Sequence, residues 1–101
     1  MLPTMTPEQR AAGLEAAARA RKDKAAARAE IRAGTLTLSD ALSGNDARLL
    51  KVPVRQVLTA QKGVGKVTAD RALEKAGVAP WRRVKGLGDV QRKALLEHFA
   101  A

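Results

Sequence analysis

Large apolar residues are distributed very unevenly along this chain, and that distribution limits what it can fold into. Of the 25 Val, Ile, Leu, Met, Phe and Trp residues among its 101 residues, five lie in residues 1–34 and 20 lie in residues 35–101. A segment with so few large apolar side chains cannot bury enough surface to form a core of its own. We therefore expect an alanine-rich helical arm over residues 1–34 and one small globular domain over residues 35–101.

The first third of the chain carries the signals of a single long helix. Thr6 is a suitable N-cap, Pro7 fits the first helical position, and Gln9 stands where a capping box places Glu or Gln. Ala, Arg, Lys and Glu then continue almost without interruption until Gly34, a residue type that commonly ends helices. Such a helix extends about 40 Å at about 1.5 Å per residue. Residues 1–5 are expected to form a frayed terminus.

Glycine and proline residues divide the second segment into short stretches with apolar residues at helical spacing. A short helix is expected to start after Thr37. Three further helices are expected over residues 53–60, 66–76 and 90–99. Asp89 is a suitable N-cap for the last of them. No stretch alternates as a strand does, so the expected fold is all-α: a long N-terminal helix followed by a compact helical domain. Trp81 and Phe99 are expected to anchor the core of that domain rather than to stack on bases, because two aromatic residues are too few for a single-strand-binding surface.

The chain is strongly basic along its whole length. It carries 19 Lys and Arg against 10 Asp and Glu, a net charge of +9, and its isoelectric point is near 10.9. The excess is +3 in residues 1–34 and +6 in residues 35–101. Such a charge indicates a polyanionic partner, with nucleic acid first among the candidates.

The same composition excludes several classes of protein. Without cysteine the chain has no disulfide framework and no thiolate metal site, and one histidine offers little to a zinc ion. No apolar run approaches the roughly 18–20 residues that span a bilayer, and no signal peptide is recognisable. Neither paired carboxylates nor a nucleophile beside a base suggests catalysis. We expect a cytoplasmic protein that is not an enzyme, contacts no membrane and needs no cofactor or metal.

The most informative short stretch comprises Lys62, Gly63, Val64, Gly65 and Lys66. Two glycines one residue apart, between two predicted helices, let the backbone turn tightly and come close to a partner. The following helix begins with unpaired N–H groups and the positive end of its dipole, which suits a phosphate, and the two lysines add charge. The spacing fits neither the Walker A nor the Rossmann pattern. The stretch is either a nucleic-acid backbone contact or a plain turn between helices.

A second short stretch, residues 81–88, holds three cations and two glycines between two predicted helices. Arginines on such a loop can enter a minor groove or clamp adjacent phosphates. Because the Asp89 carboxylate can cap the next helix and repel a phosphate, we expect the loop's side chains and amides to make the contacts. The alternative is a solvated basic loop. The candidate contact residues are Arg82, Arg83, Lys85, Gly86, Leu87 and Gly88.

The arm has two interpretations, because it has few large apolar residues with which to dock on a core. It is either a solvated helical extension or a basic helix lying near a polyanion. Arg21, Lys24 and Arg28 fall at i, i+3 and i+7 on one face, and Arg32 continues that face. In the second interpretation Arg21 and Arg28 are the candidate contacts.

Together these segments resemble the integration host factor family of the actinobacterial type, small basic nucleoid-associated proteins. The resemblance lies in residues 5–12, in residues 63–67 and, most specifically, in residues 82–88. It implies a long N-terminal helix followed by a helix–two-turn–helix domain over residues 35–101. It also implies a nucleoid protein that binds double-stranded DNA with little sequence preference, bends or stiffens it, and affects its compaction and supercoiling. We expect the protein to be a monomer. The family's DNA contacts map onto the glycine turn and the basic loop.

Two other functions remain open as alternatives. A small-subunit protein of the ribosomal head has a related module with a Gly-x-Gly turn, which would make this chain an RNA binder. A basic C-terminal tail is expected there, and residues 95–101 do not supply one. DNA glycosylases carry related modules too, but an N-terminal proline nucleophile needs a carboxylate beside it, and Pro3 has none in the sequence.

Overall fold

Residues 6–100, the part of the chain that the computed structural model describes, fold into five α-helices. The helices are α1 (Pro7–Ala33), α2 (Leu38–Leu42), α3 (Val54–Ala60), α4 (Lys66–Ala76) and α5 (Asp89–Ala100), and a 3-10 turn spans Val84–Gly86. No β-strand forms within this range, so the predicted all-α fold with a long N-terminal helix is confirmed. The expected frayed terminus at residues 1–5, with Pro3, lies outside the described residues, as does residue 101.

Local capping signals set both ends of α1. The Thr6 hydroxyl accepts the N–H of Gln9, and the Gln9 side chain accepts the N–H of Thr6, which completes the predicted capping box. The helix ends at Gly34 in the left-handed region, at φ +83°. Residues 7–23 are all exposed. The radius of gyration is 15.9 Å, against about 13 Å for a compact domain of this length, because α1 projects from the remaining helices.

The last turns of α1 dock on the helical core. Ala27 and Ile31, four residues apart on one face, are 0% and 5% exposed and pack in the same cluster as the residues of α3. The expectation that the arm has little with which to dock is wrong for this part of the helix. α3 lies directly against that face of α1. The division at residue 34 therefore runs through a shared core.

Arg48 ties the end of α1 to the segment that follows α2. Its guanidinium forms ion pairs with Glu30 on α1 and with Asp46, where Nη2 lies 2.7 Å from Oδ2. The hydrogen bonds from Arg48 hold the pKa of both carboxyl groups below their usual range, and those bonds raise the pKa of the Arg48 guanidinium. Solvent reaches all three side chains, so this network orients α1 more than it stabilises the fold.

The core is small and aliphatic. Its buried members are Ala27, Ile31, Ala41, Leu42, Leu49, Val52, Val54, Val57, Leu58, Ala69, Ala72, Leu73, Val78, Val84, Leu87 and Leu95. Phe99 packs against this cluster and is partly buried. Trp81 is 78% exposed, so the expectation that it anchors the core is wrong. In its loop the inward positions are taken by the smaller Val84 and Leu87.

Asp89 begins α5 but does not cap it. Gly88 occupies the capping position, because its carbonyl oxygen accepts the N–H of Arg92 at 2.9 Å. The side chain of Gln91 returns to accept the Gly88 N–H at 3.1 Å. The Asp89 carboxylate instead accepts from Arg92 Nη1 at 2.7 Å. The predicted role of Asp89 as N-cap is therefore wrong, since Gln91 supplies the reciprocal bond of a capping box.

Candidate nucleic-acid interface

The glycine turn joins α3 to α4. Gly63 has φ +81°, a conformation that favours glycine, and the N–H of Val64 donates to the carbonyl oxygen of Gln61 at 3.2 Å. The Val64 side chain is half-buried and packs against the core. The Val64 side chain therefore anchors the turn to the core. The remaining members of the predicted site are exposed: Lys62, Gly63, Gly65 and Lys66.

The start of α4 offers free backbone amides beside this turn. Gly65 is the N-cap, with extended backbone at φ −93° and ψ 179°, and no side chain in the described part of the chain caps the helix. The first helical bond runs from the N–H of Ala69 to the carbonyl oxygen of Gly65. The three N–H groups before it have no intrahelical partner and carry the positive end of the helix dipole. A Cβ built on Gly65 meets no atom within 4 Å, so an anion can approach these amides closely.

The charges around the start of α4 are favourable to an anion. Asp70 lies one turn into the helix, and Arg55 from α3 pairs with it, with Nη2 3.1 Å from Oδ2. Its negative charge is therefore compensated by the neighbouring Arg55 guanidinium. Lys62 and Lys66 are exposed and form no ion pair among residues 6–100. Their ammonium groups stay available to a phosphate.

The basic loop, residues 81–88, is hydrogen-bonded to residues 50–54, which lead into α3. The N–H of Val54 donates to the Arg82 carbonyl oxygen at 2.8 Å, that of Val84 to Val52 at 3.0 Å, and that of Lys85 to Leu50 at 3.0 Å. Pro53 and Arg83 form the isolated antiparallel bridge at the centre of this contact. Because Pro53 takes part in it, α3 begins at Val54, one residue later than predicted.

The amides of the basic loop are nearly all engaged within the protein. Besides the N–H groups of Val84 and Lys85, that of Gly86 donates to Arg83 at 2.9 Å and that of Leu87 to Val84 at 3.1 Å. The Gly88 N–H is held by Gln91, and the Leu87 side chain lies in the core at 6% exposure. Contrary to the expectation from sequence, this loop offers a partner side chains rather than amides.

Three exposed cations project from the basic loop. Arg82 is held in place, because its Nη1 donates to the carbonyl oxygen of Gly86 at 3.0 Å, and a Cβ on Gly86 would lie 3.2 Å from Arg82 Cδ. Arg83 and Lys85 have exposed side chains that form no ion pair within the described range. One positioned and two free cations thus lie on four consecutive residues.

The arm meets α3 in a small cationic cleft. Its volume is about 280 Å³, and it is lined by Arg28, Ala29, Arg32, Gln56, Thr59 and Ala60. Arg28 Nη1 lies 3.5 Å from the Gln56 side-chain oxygen. The spacing of Arg28 and Arg32 was visible in the sequence, whereas the polar groups that α3 adds depend on tertiary packing. Arg21, also exposed, lies about 10 Å further along α1, at about 1.5 Å per residue.

The cleft and the two glycine-bearing segments surround α3. The cleft reaches Ala60, the last residue of α3, close in sequence to the glycine turn. The basic loop is bonded at the opposite end, to Val54. α3 spans seven residues, so its two ends lie about 9 Å apart at about 1.5 Å per residue. The structure thus places Arg28 against Gln56 of α3, in a cleft that reaches Ala60, and leaves the basic loop at a second position.

Comparisons with known proteins agree with this architecture. The S13-like H2TH domain family matches residues 31–99. The integration host factor of Mycobacterium tuberculosis is 44% identical, over 99% of this chain and 97% of that protein. The chain belongs to the integration host factor family. Integration host factor of Mycolicibacterium smegmatis is 45% identical over 97% of this chain and 95% of its own length, and that of Streptomyces coelicolor 37% over 99% and 95%.

A solved structure of this family carries DNA. It is described as sIHF bound to an 8bp palindromic DNA, is 31% identical, and superposes with a TM-score of 0.79 over 84% of this chain and 98% of that one. This chain therefore shares the fold of that structure, and its helix–two-turn–helix domain lies within residues 31–99. Within residues 6–100 of this member, no helix is both long and apolar enough to cross a membrane, and no three His, Asp or Glu side chains are grouped to hold a metal ion.

Proposed function

We propose that this member of the integration host factor family is a non-enzymatic, nucleoid-associated protein that binds double-stranded DNA with little sequence preference. The observation that carries the proposal is the uncapped start of α4 behind a glycine turn, with exposed Lys62 and Lys66 on either side. Support comes from the names of the relatives, the DNA in the sIHF structure and the net charge of +9. Binding in this manner bends or stiffens the duplex and affects its compaction and supercoiling.

The glycine turn receives one backbone phosphate. Gly63 lets the chain reverse, and Gly65 leaves open space in front of the α4 amides. A phosphate there accepts hydrogen bonds from these amides and interacts with the charges of Lys62 and Lys66. Val64 contributes by anchoring the turn to the core. None of these contacts reads a base.

The basic loop supplies the second set of contacts through side chains. Arg82, Arg83 and Lys85 clamp neighbouring phosphates or enter the minor groove between them. Gly86 and Gly88 add no side chain that would keep the duplex away from the loop, and the buried Leu87 side chain fixes the loop to the core. On the arm, Arg28 and Arg21 extend the positive surface along the duplex, and Arg32 belongs to the same cleft as Arg28.

Salt dependence tests the proposal. If about six phosphates are neutralised, a plot of log affinity against log salt concentration should have a slope near −5, since each contact contributes about −0.9. The measurement is fluorescence anisotropy of a labelled duplex, titrated with the full chain at several salt concentrations. Duplexes of unrelated sequence should give similar affinities. Nearly equal binding at low and high salt would contradict a phosphate-based interface.

Structured RNA is the alternative ligand, because the matching family is described as S13-like. Competition between a labelled DNA duplex and unlabelled duplex DNA or structured RNA of equal length separates the two. We expect the DNA to compete better, and a preference for the RNA would favour the alternative. Sedimentation at working concentration should show a monomer, and a duplex with an abasic site should remain unbroken after incubation with the protein.

A further inference from the structure

Most of the large apolar side chains that the fold leaves exposed lie beside the two proposed DNA-binding segments. In the described part of the chain there are four such residues: Leu14 at 70%, Val67 at 66%, Trp81 at 78% and Val90 at 84% exposure. Val67 directly follows Lys66, Trp81 directly precedes Arg82, and Val90 comes two residues after Gly88. Leu14 alone lies on the projecting part of the arm. Trp81 is the largest of the four and has the most apolar surface to bury.

Trp81 is held in its exposed position by the backbone around it. The N–H of Arg82 donates to the carbonyl oxygen of Ala79 at 3.0 Å, which closes a turn around Trp81. The Arg82 carbonyl oxygen is bonded to Val54, and Pro80 restricts the backbone before the indole. A side chain fixed at its backbone loses less conformational freedom on binding than one on a loose loop. The exposed indole is therefore placed to meet a partner.

The charges beside Trp81 decide which partner fits. Arg82 and Arg83 are both exposed next to it, on a chain with a net charge of +9. A second copy of the chain would bring like charges together on this face. A duplex offers phosphates to the arginines and, within a few ångströms, apolar sugar and base surface to the indole. Proteins that place arginines in a minor groove often insert an apolar side chain beside them.

We propose that the Trp81 indole packs against the sugar and base surface of the bound duplex, beside the backbone contacts of Arg82 and Arg83. This inference rests on the proposed function. The indole contact would contribute to affinity through burial of apolar surface, whereas the arginine contacts contribute through charge. Phosphate contacts release counterions and weaken as salt rises, whereas burial of an indole releases no counterion. Trp81 and Arg83, two neighbours on one loop, should therefore respond differently to salt.

The test uses the full chain and a labelled 20-base-pair duplex of arbitrary sequence. Trp81→Ala should weaken binding about tenfold at every salt concentration, with the salt slope unchanged. Arg83→Ala should weaken binding and reduce the magnitude of the slope by about 0.9. Leu14→Ala, which removes an apolar side chain of similar exposure away from both segments, should bind like the unaltered protein. Trp81→Phe should recover most of the affinity. Thermal unfolding of each variant confirms that it is folded.

Indole emission gives an independent measurement, because the chain has one Trp and no Tyr. Saturation with duplex should quench the emission or shift it to shorter wavelength. If the protein binds the duplex while its emission stays unchanged and Trp81→Ala binds as tightly, the inference fails and the proposed function stands. If the unaltered protein does not bind the duplex, the proposed function itself fails. A shift that appears on raising protein concentration without DNA, together with faster sedimentation, would mean that a second copy covers the indole, which overturns the inference.

Discussion

The carbonyl oxygen of Arg82 accepts the backbone N–H of Val54 at 2.8 Å, so the first residue of the cationic run is bonded to the first residue of α3. The other end of α3 leads into the glycine turn. The helix therefore acts as a spacer that fixes the distance between the two segments. The contacts proposed for the two segments would therefore form without ordering a flexible loop, which would lower the entropic cost of binding.

Arg82 and Arg83 should differ when each is replaced by Ala. Arg82 donates to the Gly86 carbonyl oxygen and so contributes to the shape of the loop as well as to its charge. Arg83→Ala should weaken DNA binding with no change in melting temperature, whereas Arg82→Ala should weaken binding and also lower the melting temperature slightly. Anisotropy and thermal unfolding of the two variants measure this. Lys85→Ala serves as the control for loss of one exposed charge. Equal melting temperatures for all three would show that the Arg82 bond has no structural role.

Substitution of the two glycines of the turn should affect two different properties, the stability of the fold at Gly63 and the affinity for DNA at Gly65. Gly63 is at φ +81°, so Gly63→Ala should lower the free energy of unfolding by about 1–2 kcal/mol. Gly65 has an ordinary φ and open space where a Cβ would lie. Gly65→Ala should therefore cost less stability but weaken DNA binding several-fold, because its methyl group stands where the phosphate approaches. Urea unfolding and duplex titration give the two quantities. Unimpaired binding by Gly65→Ala would place the phosphate elsewhere.

Features that depend on neighbouring residues in the chain were predictable from the sequence. The capping box of Thr6 and Gln9 and the bounds of α4 follow from side chains that bond to backbone within one turn, or from glycines that end helices. The glycine turn was recognisable for the same reason. Its free amides follow directly from its position before a helix.

Features that depend on distant segments were not predictable in this way. Exposure of Trp81 results from the bonding of its loop to residues 50–54, which puts Val84 inside and Trp81 outside. Burial of Ile31 requires α3 to lie against one face of α1. At the start of α5, Gly88 takes the capping position predicted for Asp89, and the Gln91 side chain that bonds the Gly88 N–H also donates to the Gly77 carbonyl oxygen across the fold. For Trp81 and Ile31 a long-range contact outweighed a sound local pattern, whereas for Asp89 a competing local cap did.

Ile31 should be far more important for stability than its place in a solvated arm suggests. It is 5% exposed within the core, so Ile31→Ala should lower the free energy of unfolding by about 2–5 kcal/mol. Leu14, on the same helix and 70% exposed, should change it by less than about 0.5 kcal/mol when replaced by Ala. Urea unfolding of both variants provides the comparison. If both variants lost a similarly small part of the free energy of unfolding, α1 would not stay docked in solution.

The arm cations can be tested with little effect on that docking, because the Arg28 bond to Gln56 on α3 is exposed and long, at 3.5 Å. Arg21 and Arg28 are exposed, and neither forms an ion pair within residues 6–100. The double variant with both replaced by Ala should retain its melting temperature and lose about 1.8 from the magnitude of the salt slope, at about 0.9 per contact. Arg10→Ala, near the far end of α1, is the matched control. An unchanged slope would mean that this part of the arm projects away from the DNA.

Arg48 should make the docking of α1 sensitive to acid. Its hydrogen bonds lower the pKa of Glu30 and of Asp46 in the folded protein, so the charged carboxylates favour the folded state. Their contribution is complete above the usual carboxyl range, at about pH 5, and is lost as the pH falls through the lowered pKa values, because the carboxyl groups are then protonated in the folded and the unfolded state alike. Arg48→Met should remove this part of the acid-induced fall in melting temperature while leaving the fold intact. Since these groups are solvent-accessible, the difference should be a few degrees and should shrink in high salt. Identical melting curves for the two proteins between pH 7 and about pH 3 would show that the network does not hold α1.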